Sequence, residues 1–101
     1  WTGGSGAYTT LVTLSASTYR TVKFFISLKE VSTSDKFLTT EISVVHDGTD
    51  IYSTQYATLD TGMSTATFDV SLSGGNILLQ VLTNASNAFT GRVHYTAIKN
   101  A

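Results

Sequence analysis

The sequence predicts an all-β domain, an antiparallel β-sandwich of jelly-roll-like form with about seven strands. First, β-branched and aromatic residues alternate with Thr and Ser from Tyr19 to Ile98, a period of two that is typical of strands. Second, short clusters of Gly, Asp and Asn interrupt this alternation at the spacing of sandwich turns. Third, the apolar pattern of an amphipathic helix nowhere extends over more than about two turns.

The sequence divides into residues 1–7, a Gly- and Ser-rich leading segment, and residues 8–101, which are predicted to form a single domain. We interpret Trp1 in the leading segment either as a disordered remnant or as an anchor that docks on a neighbouring subunit. Because the chain begins with Trp1 and its one methionine is Met63, we expect a fragment, a processed product or one module of a longer protein.

The first half of the domain contains three predicted strands. Residues 8–14 form a short strand, residues 19–31 the clearest strand, and residues 37–46 the next. In the clearest strand, alternation predicts a core face and an outward face. The core face carries Val22, Phe24, Ile26 and Leu28, and the outward face carries Lys23, Phe25, Ser27 and Lys29. Residues 37–46 carry the apolar side chains Leu38, Ile42, Val44 and Val45.

The strongest hairpin signal is Asp47-Gly48, because Gly and Asp tolerate the positive φ of a tight primed turn. Residues 51–59 are therefore predicted to return antiparallel to the preceding strand. The next turn is predicted at Asp60-Thr61-Gly62, and a further turn at Gly74-Gly75 separates two more strands.

These further strands are residues 66–72 and residues 77–83, and residues 89–98 form the last strand. Residues 66–72 alternate strictly between apolar and polar side chains. Residues 77–83 are nearly continuously apolar, which predicts a central strand that is buried on both faces or that crosses a subunit contact.

The composition restricts the classes of function. Charged residues make up only 13% of the chain and the net charge is -1, so no basic field is present to attract nucleic acid or an anionic membrane surface. The chain has no cysteine, which excludes disulfides and thiolate metal sites, and no cofactor is expected. It also has no proline, a common blocker of edge strands, so we expect neighbouring subunits to cover some strand edges.

The motif H-D-G-T-D, from His46 to Asp50, offers nitrogen and oxygen ligands for a metal ion. It lacks the D-x-D-x-D-G progression and the distal Glu of a calcium loop, and no second histidine lies nearby in sequence. The favoured interpretation is a hairpin turn whose side chains cap backbone amides.

An enzyme is not expected. A hydrolase would need His46 or His94 within hydrogen-bond reach of a hydroxyl and a carboxylate in a cleft, and no nucleophile signature accompanies either histidine. A carboxylate pair for glycoside hydrolysis would have to come from six residues, several of which fall in turns or on the predicted solvent face. These residues are Glu30, Glu41, Asp47, Asp50, Asp60 and Asp69.

Tyr52 and Tyr56 share one face of a predicted strand, and a tyrosine offers both an apolar ring and a hydroxyl. They could stack sugar rings or anchor an interface, while packing within the sheet is the commoner role. Our candidates for contact surfaces are the apolar residues left over once each strand has one core face: Phe25, Tyr52, Tyr56, Leu78 and Leu82.

Three segments together resemble a known family. They are Y-R-T-V-K-F-F-I-S-L from Tyr19, T-E-I-S-V-V-H-D-G-T-D-I-Y-S-T-Q-Y from Thr40, and F-D-V-S-L-S-G-G-N-I-L-L-Q-V from Phe68. In this order they resemble a β-rich module of virion structural and tail-fibre-like proteins of tailed bacteriophages, particularly phages of cyanobacteria and marine bacteria. The H-D-G-T turn and the S-G-G-N turn are the most specific parts.

The resemblance implies a non-enzymatic virion protein, assembled in the host cytoplasm, that serves as a fibre, neck or capsid decoration module. It implies a homo-oligomer, with a trimer favoured, and contacts with other virion proteins. The family supplies no defined binding site. The alternative is a carbohydrate-binding module that recognises host surface glycan through Tyr52 and Tyr56.

Overall fold

The computed structural model describes residues 2–3, 8–31, 34–62, 66–83 and 88–100, and the side chains from residue 8 onwards within these ranges. Trp1, whose role the sequence left open, lies outside the described residues. All regular structure in these ranges is β-strand, and no helix there is long and apolar enough to cross a membrane.

The described strands lie in two antiparallel sheets. The strands are β1 (Thr2–Gly3), β2 (Thr9–Ser15), β3 (Tyr19–Glu30), β4 (Lys36–His46), β5 (Ile51–Asp60), β6 (Ala66–Ser73), β7 (Asn76–Thr83) and β8 (Phe89–Lys99). The five-stranded sheet has the order β1-β8-β3-β4-β5, and the three-stranded sheet has the order β2-β7-β6. The all-β sandwich predicted from the sequence is confirmed.

The core lies between the two sheets and is built by alternation. Every second residue of β3 from Val22 to Leu28 is buried, and so are Ile77, Leu79 and Val81 of β7. These residues pack together with buried side chains of β2 and β4. Burying an aliphatic or aromatic side chain of this size contributes about 1.5–3 kcal/mol each, so this interface is the main source of stability.

Strand β7 is central in its sheet, as predicted, but it is fully buried on one face only. Ile77, Leu79, Val81 and Thr83 are buried, whereas the alternate residues are half-buried. The continuous apolar run is therefore not explained by burial on both faces within one copy of the chain.

The turn between β6 and β7 is a two-residue primed turn. Gly74 and Gly75 have φ values of 58° and 80°, and Ser73 pairs with Asn76 across the turn. Positive φ at both central residues matches the right-handed twist of the flanking strands, and glycine adopts it without steric cost.

One element was not expected. Thr2 and Gly3, in the Gly- and Ser-rich leading segment, form β1 and pair with Thr90 and Phe89 of β8. A short extended segment beside an open sheet edge gains backbone hydrogen bonds whatever its side chains, so composition does not reveal this pairing.

Candidate interaction surface

The outer face of the five-stranded sheet faces away from the core. The strand registers align its side chains in rows across four strands. One row contains Ile98, Thr21, Val45 and Tyr52, and a second contains His94, Phe25, Glu41 and Tyr56. We call this surface the outer face. Side chains in such rows lie about 4.5–5.5 Å apart at Cβ, so they form one continuous surface.

Large apolar side chains are exposed along this outer face. Leu59 is 74% exposed, Ile98 62% and Tyr52 59%, and the others are about one third to one half exposed. The full set is Phe25, Phe37, Val45, Tyr52, Tyr56, Leu59 and Ile98. Polar side chains lie among them, since a row of Thr96, Lys23, Ser43 and Thr54 separates the row of Tyr52 from the row of Tyr56. The number of exposed apolar side chains on one face still indicates an interaction surface, of mixed apolar and polar character.

The five contact candidates from the sequence do not form one surface. Phe25, Tyr52 and Tyr56 lie together on the outer face. Leu78 and Leu82 point away from the core on the three-stranded sheet, on the opposite side of the sandwich, where they are half-buried. An interface that uses the first group therefore leaves the second group free for a different neighbour.

Sequence reasoning missed four members of the outer face, Phe37, Val45, Leu59 and Ile98. Val45 was grouped with the apolar residues of its strand, although strict alternation from buried Val44 already places it outward. Alternation along β5 could not place Leu59 on the outer face. The register shifts between Thr39 and Glu41, so β5 has an extra residue there, and this bulge reverses the alternation beyond Tyr56.

The bulge in β5 lies at Ala57, which has a φ of 54°, a value that costs a non-glycine residue strain. Thr40, buried on β4, compensates with hydrogen bonds from one hydroxyl. Its Oγ1 donates to the carbonyl oxygen of Tyr56 at 3.3 Å and lies 2.8 Å from Oγ1 of Thr58. Nε2 of Gln55 donates to the same Oγ1 at 3.1 Å. The bulge is thus a built feature that sets the direction of Leu59.

A charged pair interrupts the apolar outer face at its centre. Nζ of Lys23 lies 3.2 Å from Oε1 of Glu41 and 5.8 Å from the ring centroid of Tyr56. The hydroxyl of Tyr56 lies 3.2 Å from Oγ of Ser43. The hydrogen bond with Glu41, followed by that with Tyr56, raises the pKa of Lys23. The two charges neutralise each other, so the centre of the outer face carries no net charge.

The H-D-G-T-D motif is a structural turn, as the favoured interpretation predicted. His46 is buried, and its Nε2 lies 2.6 Å from the carbonyl oxygen of Tyr19 while its Nδ1 accepts from the N–H of Gly48 at 3.0 Å. Because the carbonyl only accepts and the N–H only donates, the ring carries its proton on Nε2. Both nitrogens are engaged with backbone groups.

Asp47 caps the same turn. Its Oδ1 accepts from the N–H of Asp50 at 2.7 Å and from that of Thr49 at 2.9 Å. These two bonds, the one from Asp50 first, lower the pKa of Asp47. Gly48 completes the turn with a φ of 95°.

The two histidines lie on opposite faces of the five-stranded sheet. His46 is bonded to backbone as given above, and His94 lies exposed on the outer face beside Phe25. Within the described ranges, no group of three or more His, Asp and Glu side chains is placed to hold a metal ion.

Neither a protein-family model nor a curated protein matches this chain. Among solved structures, the chain is similar to the tailspike protein of the Acinetobacter phage vB_ApiP_P1, with a TM-score of 0.57 and 16% sequence identity. The similarity covers 96% of this chain and 19% of the tailspike, so the chain spans about a fifth of that protein. At this identity the similarity shows a shared fold alone.

Proposed function

We propose that this chain is a non-enzymatic structural module of a phage tail or another part of the virion. It acts by associating with copies of itself and by attaching to the particle. The observation that carries the proposal is the apolar outer face of the five-stranded sheet. Support for a virion role comes from the resemblance of three sequence segments to phage modules and from the fold shared with part of a tailspike.

The finer assignments are part of the same proposal. In this proposal the chain is a fibre, neck or capsid decoration module. It belongs to the group of modules found in phages of cyanobacteria and marine bacteria. A trimer, which the resemblance implies, is one closed assembly that would cover the outer face, and a dimer is another.

The outer face has the dimensions of a small protein interface. Four strands of about ten residues span about 33 Å by 19 Å, or about 600 Å² in projection. A standard interface buries about 800 Å² of accessible surface per partner, and the side chains raise the accessible area above the projected one. The neutral Lys23–Glu41 pair at its centre adds no charge repulsion between copies.

Self-association is tested by the mass of the purified chain in solution, measured by light scattering at micromolar concentration. We expect an oligomer, and a monomer at every concentration would contradict the proposal. Leu59→Asp introduces a charge on the outer face and is expected to shift the mass towards the monomer. Thr13→Asp, a matched control at an exposed position of β2, is expected to leave the mass unchanged.

The virion role has its own test. An antibody against the chain is expected to label particles of the phage that encodes it in negative-stain electron microscopy. The labelled part of the particle, head, neck or tail, then decides among the finer assignments. Unlabelled particles that bind control antibodies against known virion proteins would contradict this role.

The second candidate function is binding of host surface glycan. One observation favours it: Tyr52 and Tyr56 lie on the same face of β5, with Thr54 between them on that face, and Tyr52 is well exposed. Nζ of Lys23 lies 5.8 Å from the ring centroid of Tyr56 and could donate to a sugar hydroxyl bound there. Substitution of both tyrosines by Ala should abolish binding on a glycan array and leave the solution mass unchanged if this candidate is correct.

A further inference from the structure

We propose that β5 pairs antiparallel with β5 of a second copy of this chain about a two-fold axis at Thr54. The five-stranded sheets of two copies then form one continuous sheet. This inference rests on the proposed self-association and adds to it an edge contact of defined strand and register, which joins the outer faces of two copies side by side without covering them. This edge contact is two-fold.

Strand β5 is the least protected edge of the sandwich. It bonds to β4 on one side, and its residues from Tyr52 to Asp60 are exposed on both faces. Apart from Asp60 it carries no charged residue, and it has no proline, so the usual devices against edge pairing are missing from Ile51 to Tyr56, and the bulge at Ala57 lies beyond this segment.

The other edges each carry such a device. Strand β8 carries Arg92 and Lys99 and is partly covered by β1. Strand β2 has an irregular register between Thr10 and Val12, and β6 carries Asp69. Charges and irregular pairing disfavour the addition of a further strand, so β5 is the edge on which a new strand would be most stable.

The hydrogen-bond phase of β5 follows from the hairpin. The N–H of Asp47 donates to the carbonyl oxygen of Asp50 at 3.1 Å, so the backbone of residue 50 faces β4. Backbone direction alternates along an antiparallel strand, which turns residues 52, 54 and 56 towards β4 and leaves Ser53 and Gln55 facing the open edge. The carbonyl oxygen of Tyr56 does lie on the β4 side, since it accepts from Thr40.

An axis at Thr54 makes β5 self-complementary. Ser53 of one copy then faces Gln55 of the other, and each such pair exchanges two backbone hydrogen bonds. Tyr52 faces Tyr56 of the second copy on the outer face, and Thr54 faces itself. Aromatic pairs and Thr pairs are both favourable across strands. No charge lies between residues 51 and 57, so a second copy meets no repulsion.

The neighbouring registers are worse. An axis at Gln55 brings Ser53 opposite Ala57, where the bulge interrupts the strand. An axis at Ser53 brings Tyr56 opposite Asp50, which lies in the hairpin turn. The axis at Thr54 alone keeps Tyr52 to Tyr56 of both copies paired within regular strand.

Ser53→Pro tests the edge contact, because it removes an N–H that faces the open edge and leaves the ladder to β4 intact. We expect it to raise the dimer dissociation constant roughly tenfold or more, since a bond is lost at both symmetric positions. Ser53→Ala, which keeps the N–H, is expected to change it less than about threefold. Sedimentation analysis measures the constants, and circular dichroism checks folding.

Thr54→Cys tests the register independently of Ser53→Pro, in a chain with no cysteine of its own. With the axis at residue 54, the introduced cysteine faces the same cysteine of the second copy in a non-hydrogen-bonded pair. The two Cβ atoms of such a pair lie about 4.5 Å apart, which is close enough for a disulfide. We expect a disulfide-linked dimer under mild oxidation. Tyr52→Cys faces a different residue of the second copy and is expected to remain unlinked.

The outcomes separate the two proposals. A monomeric chain overturns both. A trimer that Thr54→Cys does not cross-link supports the proposed function and overturns the β5 pairing. A dimer that is cross-linked by Tyr52→Cys and not by Thr54→Cys has the same meaning. A dimer that Thr54→Cys links and Ser53→Pro weakens supports both. If Ser53→Pro fails to fold, the pair of cysteine variants decides.

Discussion

His46→Ala is expected to destabilise the domain strongly, because the imidazole joins two turns from inside the fold. Its Nε2 donates to the carbonyl oxygen of Tyr19, next to the turn that precedes β3, and its Nδ1 accepts from Gly48 in the turn that follows β4. The side chain is only 3% exposed. Nη1 of Arg20 also donates to the carbonyl oxygen of His46 at 3.0 Å, so the same residue is held through its backbone.

The magnitude follows from these contacts. Each neutral hydrogen bond contributes about 1 kcal/mol, and a buried group left without a partner costs about 1–3 kcal/mol. Loss of both ring bonds, with partial hydration of the freed groups, gives about 3 kcal/mol in the free energy of unfolding. A domain of this size loses about 4–8 °C in melting temperature per kcal/mol, so we expect a decrease of about 12–24 °C.

The assay is thermal unfolding followed by circular dichroism, repeated with urea to obtain the free energy of unfolding. The matched control is His94→Ala, an exposed histidine on β8 whose loss is expected to change stability by less than about 0.5 kcal/mol. Equal effects at the two histidines, or a loss below about 1 kcal/mol for His46→Ala, would refute the structural role. Zn²⁺ is expected to leave the melting temperature unchanged, since both nitrogens of His46 are engaged.

Three further predictions concern local geometry. The hydrogen bond from the backbone N–H of Asp50 lowers the pKa of Asp47 in the folded state. Asp47 therefore stabilises the folded state fully above its unfolded pKa, near 3.8, and this stabilisation is lost as the pH falls through the lower folded pKa. Melting temperatures between pH 2 and pH 5 should therefore decrease with acid less steeply for Asp47→Asn than for the unmodified chain. Gly75→Ala has free space for its methyl group but a φ of 80°, so we expect a loss of about 1 kcal/mol in urea unfolding, and no loss would contradict the primed turn. Thr40→Val removes the hydroxyl that stabilises the bulge and should cost about 1–2 kcal/mol. The exposed control Thr67→Val on β6 should stay within about 0.5 kcal/mol, and equal losses would argue against the hydroxyl's role.

The candidate surface was only partly predictable. Alternation correctly predicted that Phe25, Tyr52 and Tyr56 point away from the core. Successive side chains of a strand point to opposite faces, so a residue's direction follows from its distance along the strand to a buried neighbour. Alternation grouped them with Leu78 and Leu82, which lie on the other sheet, because it gives no information about which sheet a strand joins. Leu59 escaped detection because a bulge reverses the alternation and leaves no composition signal at Ala57.

By itself, the sequence determined which segments form the strands from β2 to β8, where the tight turns lie and, where apolar and polar residues alternate strictly, which face of a strand is apolar. These properties depend on neighbouring residues: the period of two, the φ preferences of Gly74 and Gly75, and the capping of a turn by Asp47. Only the tertiary structure decided the strand order, the addition of β1 and the position of β5 as an exposed edge. Pairing between distant segments depends on hydrogen bonds and burial across the whole fold, which alternation leaves open.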